Sequence, residues 1–335
     1  MQTGSSTLTQ PPIAPVDLSI IVPVRNDADR LRRCLLSIRA AKAAAAIELI
    51  VGDNGSTDAS AAVAAELGAV VLSVPDARVA AVRNAAARAA RGAALAFVDA
   101  DHEIDPKWSA AALEILADGT IVAVGDQYHA PADGTWVQRS YDALRRHQSG
   151  TRDVTWLPSG NIVVKRAAFE QVGGFDVHLE TCEDVDLCQR LAAAGGRIVA
   201  TDRLFTVHYG DPRSLKALFL GELWRGRDNL RVSLRAPLTI RSIPSIALPV
   251  LDLIALVAAI AGCLIWPWWG PWLAVAGLIG LAAGLAVRMV SLIGAPDAPR
   301  RGATAWFELL AVSIVYDIAR ALALVSKVGH DRRRR

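Results

Sequence analysis

The sequence predicts an α/β domain, a mostly parallel sheet flanked by helices, followed by a C-terminal α-helical membrane domain. Three observations carry that expectation. Short apolar runs rich in β-branched residues alternate with helix-length segments through the first half of the chain. The acidic and glycine-containing stretches follow those runs, where an open parallel sheet places its ligands. From about residue 243 onward, charges thin out and long apolar stretches begin. The 53% hydrophobic content of the 335 residues is therefore high for a soluble domain and unevenly spread.

The elements read in order. "LSIIVPV" (18–24) is a buried strand, and Asn26 or Asp27 can cap the helix after it, which turns Leu31, Cys34, Leu35 and Ile38 to one face. "IELIVGD" (47–53) is a second strand, and residues 56–67 form a helix opened by Ser or Thr. Residues 69–74 are a third strand, and 77–92 a helix stopped by Gly92. "ALAFVD" (94–99) is a fourth strand, after which Pro106 suits the first turn of a helix. Residues 156–176 read as loop, strand, short helix and glycine turn. Residues 182–196 read as a helix with Leu187 and Leu191 inward, and 197–211 as strand-like, carrying His208.

The expected organisation is a disordered lead (1–16), the α/β domain (17–211), a basic interfacial stretch (212–241), transmembrane or interfacial helices (242–330) and a basic tail (331–335). A formal charge of +3 is too small to argue for nucleic acid. Its placement matters more: Arg213, Lys216, Arg225, Arg227, Arg231, Arg235 and Arg241 precede the first apolar run, as basic residues do on the cytoplasmic face of a membrane. The N-terminal stretch has no apolar core of a signal peptide. The four cysteines fit no zinc spacing and read as free thiols in a reducing compartment. These features place the α/β domain in the cytoplasm, on the inner membrane.

The chemistry-bearing residues sit in the loops. "FVDADHEID" (97–105) puts Asp99, Asp101, Glu103 and Asp105 at a strand end. An EF-hand requires glycine at its sixth position, which here is Ile104. Asp-x-Asp at a strand end suits a hard divalent cation bridging phosphates, with a solvated acidic turn as the bland alternative. "GDNGSTDAS" (52–60) offers Asp53 to a base or ribose, or is a plain βα turn; the absence of G-x-G-x-x-G weighs against a dehydrogenase. Arg83 is a solvated charge or reaches a diphosphate. Glu183 and Asp184 begin a helix, where carboxylates are favoured by the dipole and where one can also serve as a general base.

Taken in order, "IIVPVRN", "VGDNGSTD", "ARVAAVRNAAARAARG", "FVDAD", "SGNIVVKR", "VGGFD", "EDVDLCQRL" and "VHYG" resemble the family 2 glycosyltransferases, inverting enzymes of the Rossmann-like GT-A fold. The resemblance covers about residues 17–211. It implies that Pro23, Arg25 and Asp53 line a nucleotide pocket, Arg83 lies near the diphosphate, and Asp99 faces the ribose or metal side. It implies Asp101 and His208 as ligands of Mg²⁺ or Mn²⁺, Asp184 as general base and Glu183 as its orienting neighbour. Ser159, Gly160, Asn161 and the pair Gly173–Gly174 would shape the acceptor side. Processive members carry Gln-x-x-Arg-Trp after the "ED" motif; here the region reads "GELWRGRDN", and Trp224, Arg225 and Arg227 stand in for it near the acceptor or diphosphate. The mismatch favours transfer of one sugar over processive synthesis. The implied partners are a nucleoside-diphosphate sugar, UDP first among them, a lipid-linked or glycan acceptor, and membrane lipids. The competing readings are a non-catalytic nucleotide-sugar-binding module, a processive polysaccharide synthase and a transporter subunit.

Residues 243–266, 272–293 and 306–328 are long enough to reach across a bilayer. Two spans keep the basic tail inside and three export it. In the third segment Ser313, Asp317, Arg320 and Lys327 share a stripe, which fits an interfacial helix with the stripe wetted, or a span with Asp317 and Arg320 paired inside a bundle. The expectation is two spans and an interfacial helix. Asp252 and Arg288, in antiparallel spans, can pair with each other.

Overall fold

The computed structural model describes residues 16–41, 45–145, 148–235, 243–265, 268–293 and 302–326. The expected lead, the basic tail and Lys327 lie outside the described residues. Strands and helices alternate at first: β1 (Leu18–Val24), α1 (Ala28–Ala40), β2 (Ile47–Asp53), α2 (Ser60–Glu66), β3 (Val70–Ser73), α3 (Val79–Ala89) and β4 (Ala94–Val98). β1 lies between β2 and β4 and runs parallel to both. The chain therefore builds β2 and β3 on one side of β1 and β4 on the other, and this reversal opens a crevice at the carboxyl edge.

The order then becomes irregular. β5 (His102–Ile104), α4 (Trp108–Leu116), β6 (Ile121–Gly125), α5 (Trp136–Ala143), β7 (Thr151–Asp153), β8 (Asn161–Lys165), α6 (Arg166–Gln171), α7 (Glu183–Ala193), β9 (Arg197–Thr201) and β10 (Thr206–His208) follow. The eight-stranded sheet runs β3-β2-β1-β4-β8-β6-β9-β7. β8 is antiparallel to both β4 and β6. β10 and β5 pair separately as a two-stranded ribbon. The stretch expected as one strand-like segment, 197–211, thus divides between two sheets.

β1 is buried along nearly its whole length because helices cover both faces. Leu18, Ile20 and Val22 join one apolar cluster with Leu31, Cys34, Leu35 and Ile38 of α1. Ile21 points to the opposite face, with Phe97, Phe169 and Leu187. The first loops differ from expectation. Asp27 precedes α1, but its carboxylate pairs with Arg30 instead of capping. The Ala28 N–H is accepted by Asp58 of the next loop. α2 begins only at Ser60 because the residues before it tie the two loops together: the Asn26 N–H donates to Ser56 Oγ, and the Thr57 N–H to Asn26 Oδ1.

The C-terminal part comprises α8 (Leu215–Arg225), α9 (Asn229–Ser233), α10 (Ile243–Leu264), α11 (Gly270–Ile293) and α12 (Ala303–Ala323). Among the described residues, α10 and α11 are the two helices long and apolar enough to cross a membrane. They approach through small residues: a Cβ at Gly277 would lie 2.5 Å from the Ala255 carbonyl. Trp268, Trp269 and Trp272 are largely exposed at their turn. α12 packs against α8, against α5 of the α/β part and against α10. Among the described residues, its polar stripe is not wetted. Ser313 is fully buried, both Asp317 oxygens meet the Arg288 guanidinium, and Arg320 turns toward Glu222. Arg288 is therefore engaged by the third helix and not by Asp252, and Asp317 by Arg288 and not by Arg320, because α12 packs against α10 and α8 with these side chains turned inward.

Candidate active site

The carboxyl edge of the sheet gathers the polar loops. Pro23 and Arg25 lie at the end of β1, and Asp99 and Asp101 follow β4. β8 runs the opposite way, so its first residue, Asn161, pairs with Val98 and sets Ser159 and Gly160 beside the acidic loop. The start of α7 supplies Glu183 and Asp184. With residues of α8 and α12, these elements border a cavity of about 1340 Å³. Single-ligand pockets are typically about 300–1,000 Å³, so this one has room for two substrates.

Arg83 organises one wall. Buried on α3, it donates to Asp99 Oδ1 at 2.6 Å and to Glu183 Oε1 at 2.8 Å. Ser159 Oγ adds a 3.3 Å bond to the same Glu183 oxygen. Asp184 accepts from the Ser159 N–H at 3.3 Å and from the Val185 N–H at 2.8 Å. Burial and the neighbouring Glu183 carboxylate push Asp184 up to about 7. A carboxyl group poised there can take a proton near neutral pH. Arg25 also borders the cavity, and its Nε is buried without a hydrogen-bond partner among the described residues.

The β5–β10 ribbon builds a second cluster. Its register sets His208 directly opposite His102, and Asp101 immediately precedes β5. One ligating atom from each of Asp101, His102 and His208 lies within 4.8 Å of the others. His208 Nε2 is 3.3 Å from Asp101 Oδ2, and His102 Nδ1 is 3.3 Å from Asp101 Oδ1 without hydrogen-bond alignment. Both His102 ring nitrogens are buried and have no hydrogen bond among the described residues. Buried polar atoms of this kind are costly unless something else occupies the site, and one carboxylate with two imidazoles fits a divalent cation. Asp211 Oδ1 holds His208 Nδ1 at 2.7 Å, which orients Nε2 toward the cluster as an outer-shell carboxylate does for a metal-binding histidine. Burial opposes the imidazolium, but Asp101 and Asp211 outweigh it and raise His208 to about 9. Burial likewise opposes the Asp101 carboxylate, and the charges of His208 and His102 hold it well below the usual range.

Two glycines make this arrangement possible. A Cβ at Gly210 would run into Asp101 Oδ2 and come within 2.7 Å of His208 Nε2. A Cβ at Gly160 would lie 2.7 Å from Asp99 Oδ2.

Of the residues expected at the site, Pro23, Arg25, Arg83, Asp99, Asp101, Ser159, Glu183, Asp184, His208, Trp224 and Arg225 border the cavity. Asp53, Gly160, Asn161 and Arg227 do not. Asp53 is turned into its own loop, accepting from the Ser56 N–H. Asn161 is fully buried: it accepts from Trp108 Nε1 and donates to the carbonyls of Asp126 and Leu204, pinning the core. Arg227 pairs with Glu180. Gly173 and Gly174 form a positive-φ turn that does not border the cavity, with Gly174 against Asn84 and Phe169. Sequence reasoning missed His102, which sat unremarked among the acidic residues. It also missed Tyr128, Tyr141, Arg145, Tyr316 and Arg320, which reach the cavity from distant elements.

Residues 19–173 match the family described as glycosyl transferase family 2. This part of the chain belongs to the family 2 glycosyltransferases. Over 206 residues, 56% of the chain, it is 33% identical to the pre-mycofactocin glycosyltransferase of Mycobacterium tuberculosis, of which it covers 42%. Over 133 residues, 34% of the chain, it is 33% identical to the N-acetylglucosaminyl-diphospho-decaprenol L-rhamnosyltransferase of the same organism, of which it covers 43%. The chain thus spans less than half the length of either relative. In fold it resembles the mannosyltransferase PcManGT from Pyrobaculum calidifontis, solved with GDP-Man and Mn²⁺, with a TM-score of 0.57, 19% identity and coverage of 93% of this chain and 91% of that one. The family's GT-A fold is the one observed here, a mostly parallel sheet flanked by helices.

Proposed function

We propose that the chain is a membrane-anchored inverting glycosyltransferase. It moves one sugar from a nucleoside-diphosphate sugar to a hydroxyl of a lipid-linked or glycan acceptor, with Asp184 as general base. One observation carries this reading: the buried Asp184 and the Asp101–His208 cluster border the same cavity, which is large enough for donor and acceptor together. Similarity to a glycosyltransferase and to a rhamnosyltransferase named for a diphospho-decaprenol supports sugar transfer and a lipid-linked acceptor.

Asp101, His102 and His208 would hold the divalent cation, and their two imidazoles favour Mn²⁺ over the harder Mg²⁺. Such a cation supplies charge stabilisation to a leaving diphosphate. Pro23 and Arg25 flank the donor, and Arg83 holds the Asp99 carboxylate in place at the same cavity. Asp184 takes the acceptor proton as the new bond forms, and Glu183, fixed by Arg83 and Ser159, keeps that carboxyl group basic. Direct attack by the acceptor hydroxyl needs no carboxylate nucleophile and inverts the anomeric centre. α10 and α11 anchor the domain, and the exposed tryptophans between them suit the membrane interface.

The test is Asp184→Asn. Nucleotide binding should remain while sugar transfer is lost; turnover close to that of the unaltered protein would remove Asp184 from the role of base.

A further inference from the structure

The cavity has a wall that the transfer reading does not use. It is built from α8 and α12, elements downstream of the matched family region. Glu222 of α8, almost fully buried, receives Tyr141 Oη at 2.7 Å and Arg225 Nη1 at 2.9 Å. Arg320 of α12 stands 3.8 Å from the other Glu222 oxygen. No hydrogen bond from Arg320 is found among the described residues. Its guanidinium lies 5.7 Å from the Tyr316 ring centroid, and both residues border the cavity.

Two arginines thus face one carboxylate, leaving an excess of one positive charge on the wall of a half-open cavity. A buried cation without full compensation is expensive unless an anion completes it. The location narrows the anion's source. One turn before Arg320, Asp317 is clamped by Arg288 of α11, one of the two helices apolar enough to span a bilayer. The same helix α12 therefore touches the membrane-type pair on one side and the cavity on the other. Arg25 and Arg83, in contrast, come from β1 and α3, the elements around the sheet's switch point.

We infer that Arg320, with Arg225, forms a subsite for the phosphate of a lipid-linked acceptor, entered from the side of α10 and α11. This rests on the transferase reading and names the acceptor's class: an amphiphile whose phosphate lies at the membrane surface. Arginine suits the task because its planar fork can donate two hydrogen bonds to phosphate while stacking on an aromatic ring. The donor's diphosphate is the other possible source of the same chemistry.

The experiment uses the full chain in detergent micelles with four probes: a polyprenyl monophosphate, the polyprenol of equal length, UDP and GDP. The unaltered protein should prefer the lipid phosphate over the alcohol by roughly tenfold or more, the worth of a charge-assisted hydrogen bond. Arg320→Gln should abolish most of that preference and leave the nucleotide affinities within about twofold. If Arg320→Gln does not fold, Arg320→Lys carries the test, with the preference falling part-way because an ammonium cannot fork. An unaltered protein that binds nucleotide but does not distinguish phosphate from alcohol overturns the subsite and leaves the donor reading standing. A variant that weakens nucleotide binding instead of lipid binding assigns the charge to the donor and likewise overturns it. If neither nucleotide binds the unaltered protein, the inference falls together with the transferase reading.

Discussion

Arg83 and Asp99 meet at 2.6 Å, and the same guanidinium holds Glu183 at 2.8 Å, so one buried side chain ties the loop after β4 to the start of α7. Removing it leaves two carboxylates facing each other without compensation. Breaking a buried pair of this type costs about 3–5 kcal/mol. Arg83→Met should therefore lower stability by that order and depress both nucleotide affinity and turnover. Arg83→Lys, which keeps charge but cannot fork, should fall between. Denaturant melts with parallel nucleotide titrations check this; a loss of turnover with donor affinity intact would mean that Arg83 serves Glu183 alone.

Asp184 sets a pH dependence whose sign follows from its environment. Burial and Glu183 raise it to about 7. The base must be ionised, so turnover at saturating substrate should rise as pH increases through about 7 and then level off. Stability runs the other way. A raised acid binds more protons in the folded chain than in the unfolded one, so its contribution is full below the ordinary aspartate value and lost as pH rises toward 7. Paired rate and melting profiles between pH 5 and pH 9 test both slopes.

His102 should matter as much as the expected ligands Asp101 and His208. Losing an outer-shell partner of a metal ligand lowers affinity roughly 10–100-fold, and losing a ligand should cost at least that. His102→Ala and Asp101→Ala should each weaken Mn²⁺ binding by that order, and a chelator should lower nucleotide affinity in the unaltered protein only. Gly210→Ala is the sharper probe. It adds one methyl group that collides with Asp101 Oδ2 and removes no ligand, yet it should cost comparable Mn²⁺ affinity. Calorimetric titration of Mn²⁺ reads all of these, and normal binding by Gly210→Ala would contradict the geometry.

Local signals made part of this legible and tertiary ones hid the rest. β1, β2 and β4 announce themselves as apolar runs ending in polar loops, and Asp99 and Asp101 follow directly from the end of β4, while Asp184 stands at the legible start of α7. β5, β7 and β10 have three residues each, too few for a period to show, and they exist only through partners far along the chain. His102 becomes part of a cluster only because β10 lies opposite it. The family resemblance put Asn161 on the acceptor side, and the antiparallel return of β8 turns its side chain into the core. Arg320 and Tyr316 reach the cavity because α12 folds back onto α8, a contact that no spacing within α12 specifies.

The same folding back makes Arg288–Asp317 the pair on which the helical unit depends. Both groups are largely buried, with side chains 18% and 14% exposed, and the contact is two-pronged. Arg288→Leu should leave Asp317 uncompensated between helices and destabilise the chain by about 3–5 kcal/mol. The double change Arg288→Leu with Asp317→Leu should recover most of that loss, because an apolar pair of similar volume needs no counter-charge. Thermal unfolding in micelles, arranged as a double-mutant cycle, gives the coupling directly. Because α12 also carries Arg320, the single variant should loosen the acceptor wall too, lowering lipid-phosphate affinity while nucleotide binding holds. Additive losses in the cycle would show that α12 is held by its apolar contacts with α8 and α5 and that the ion pair contributes little.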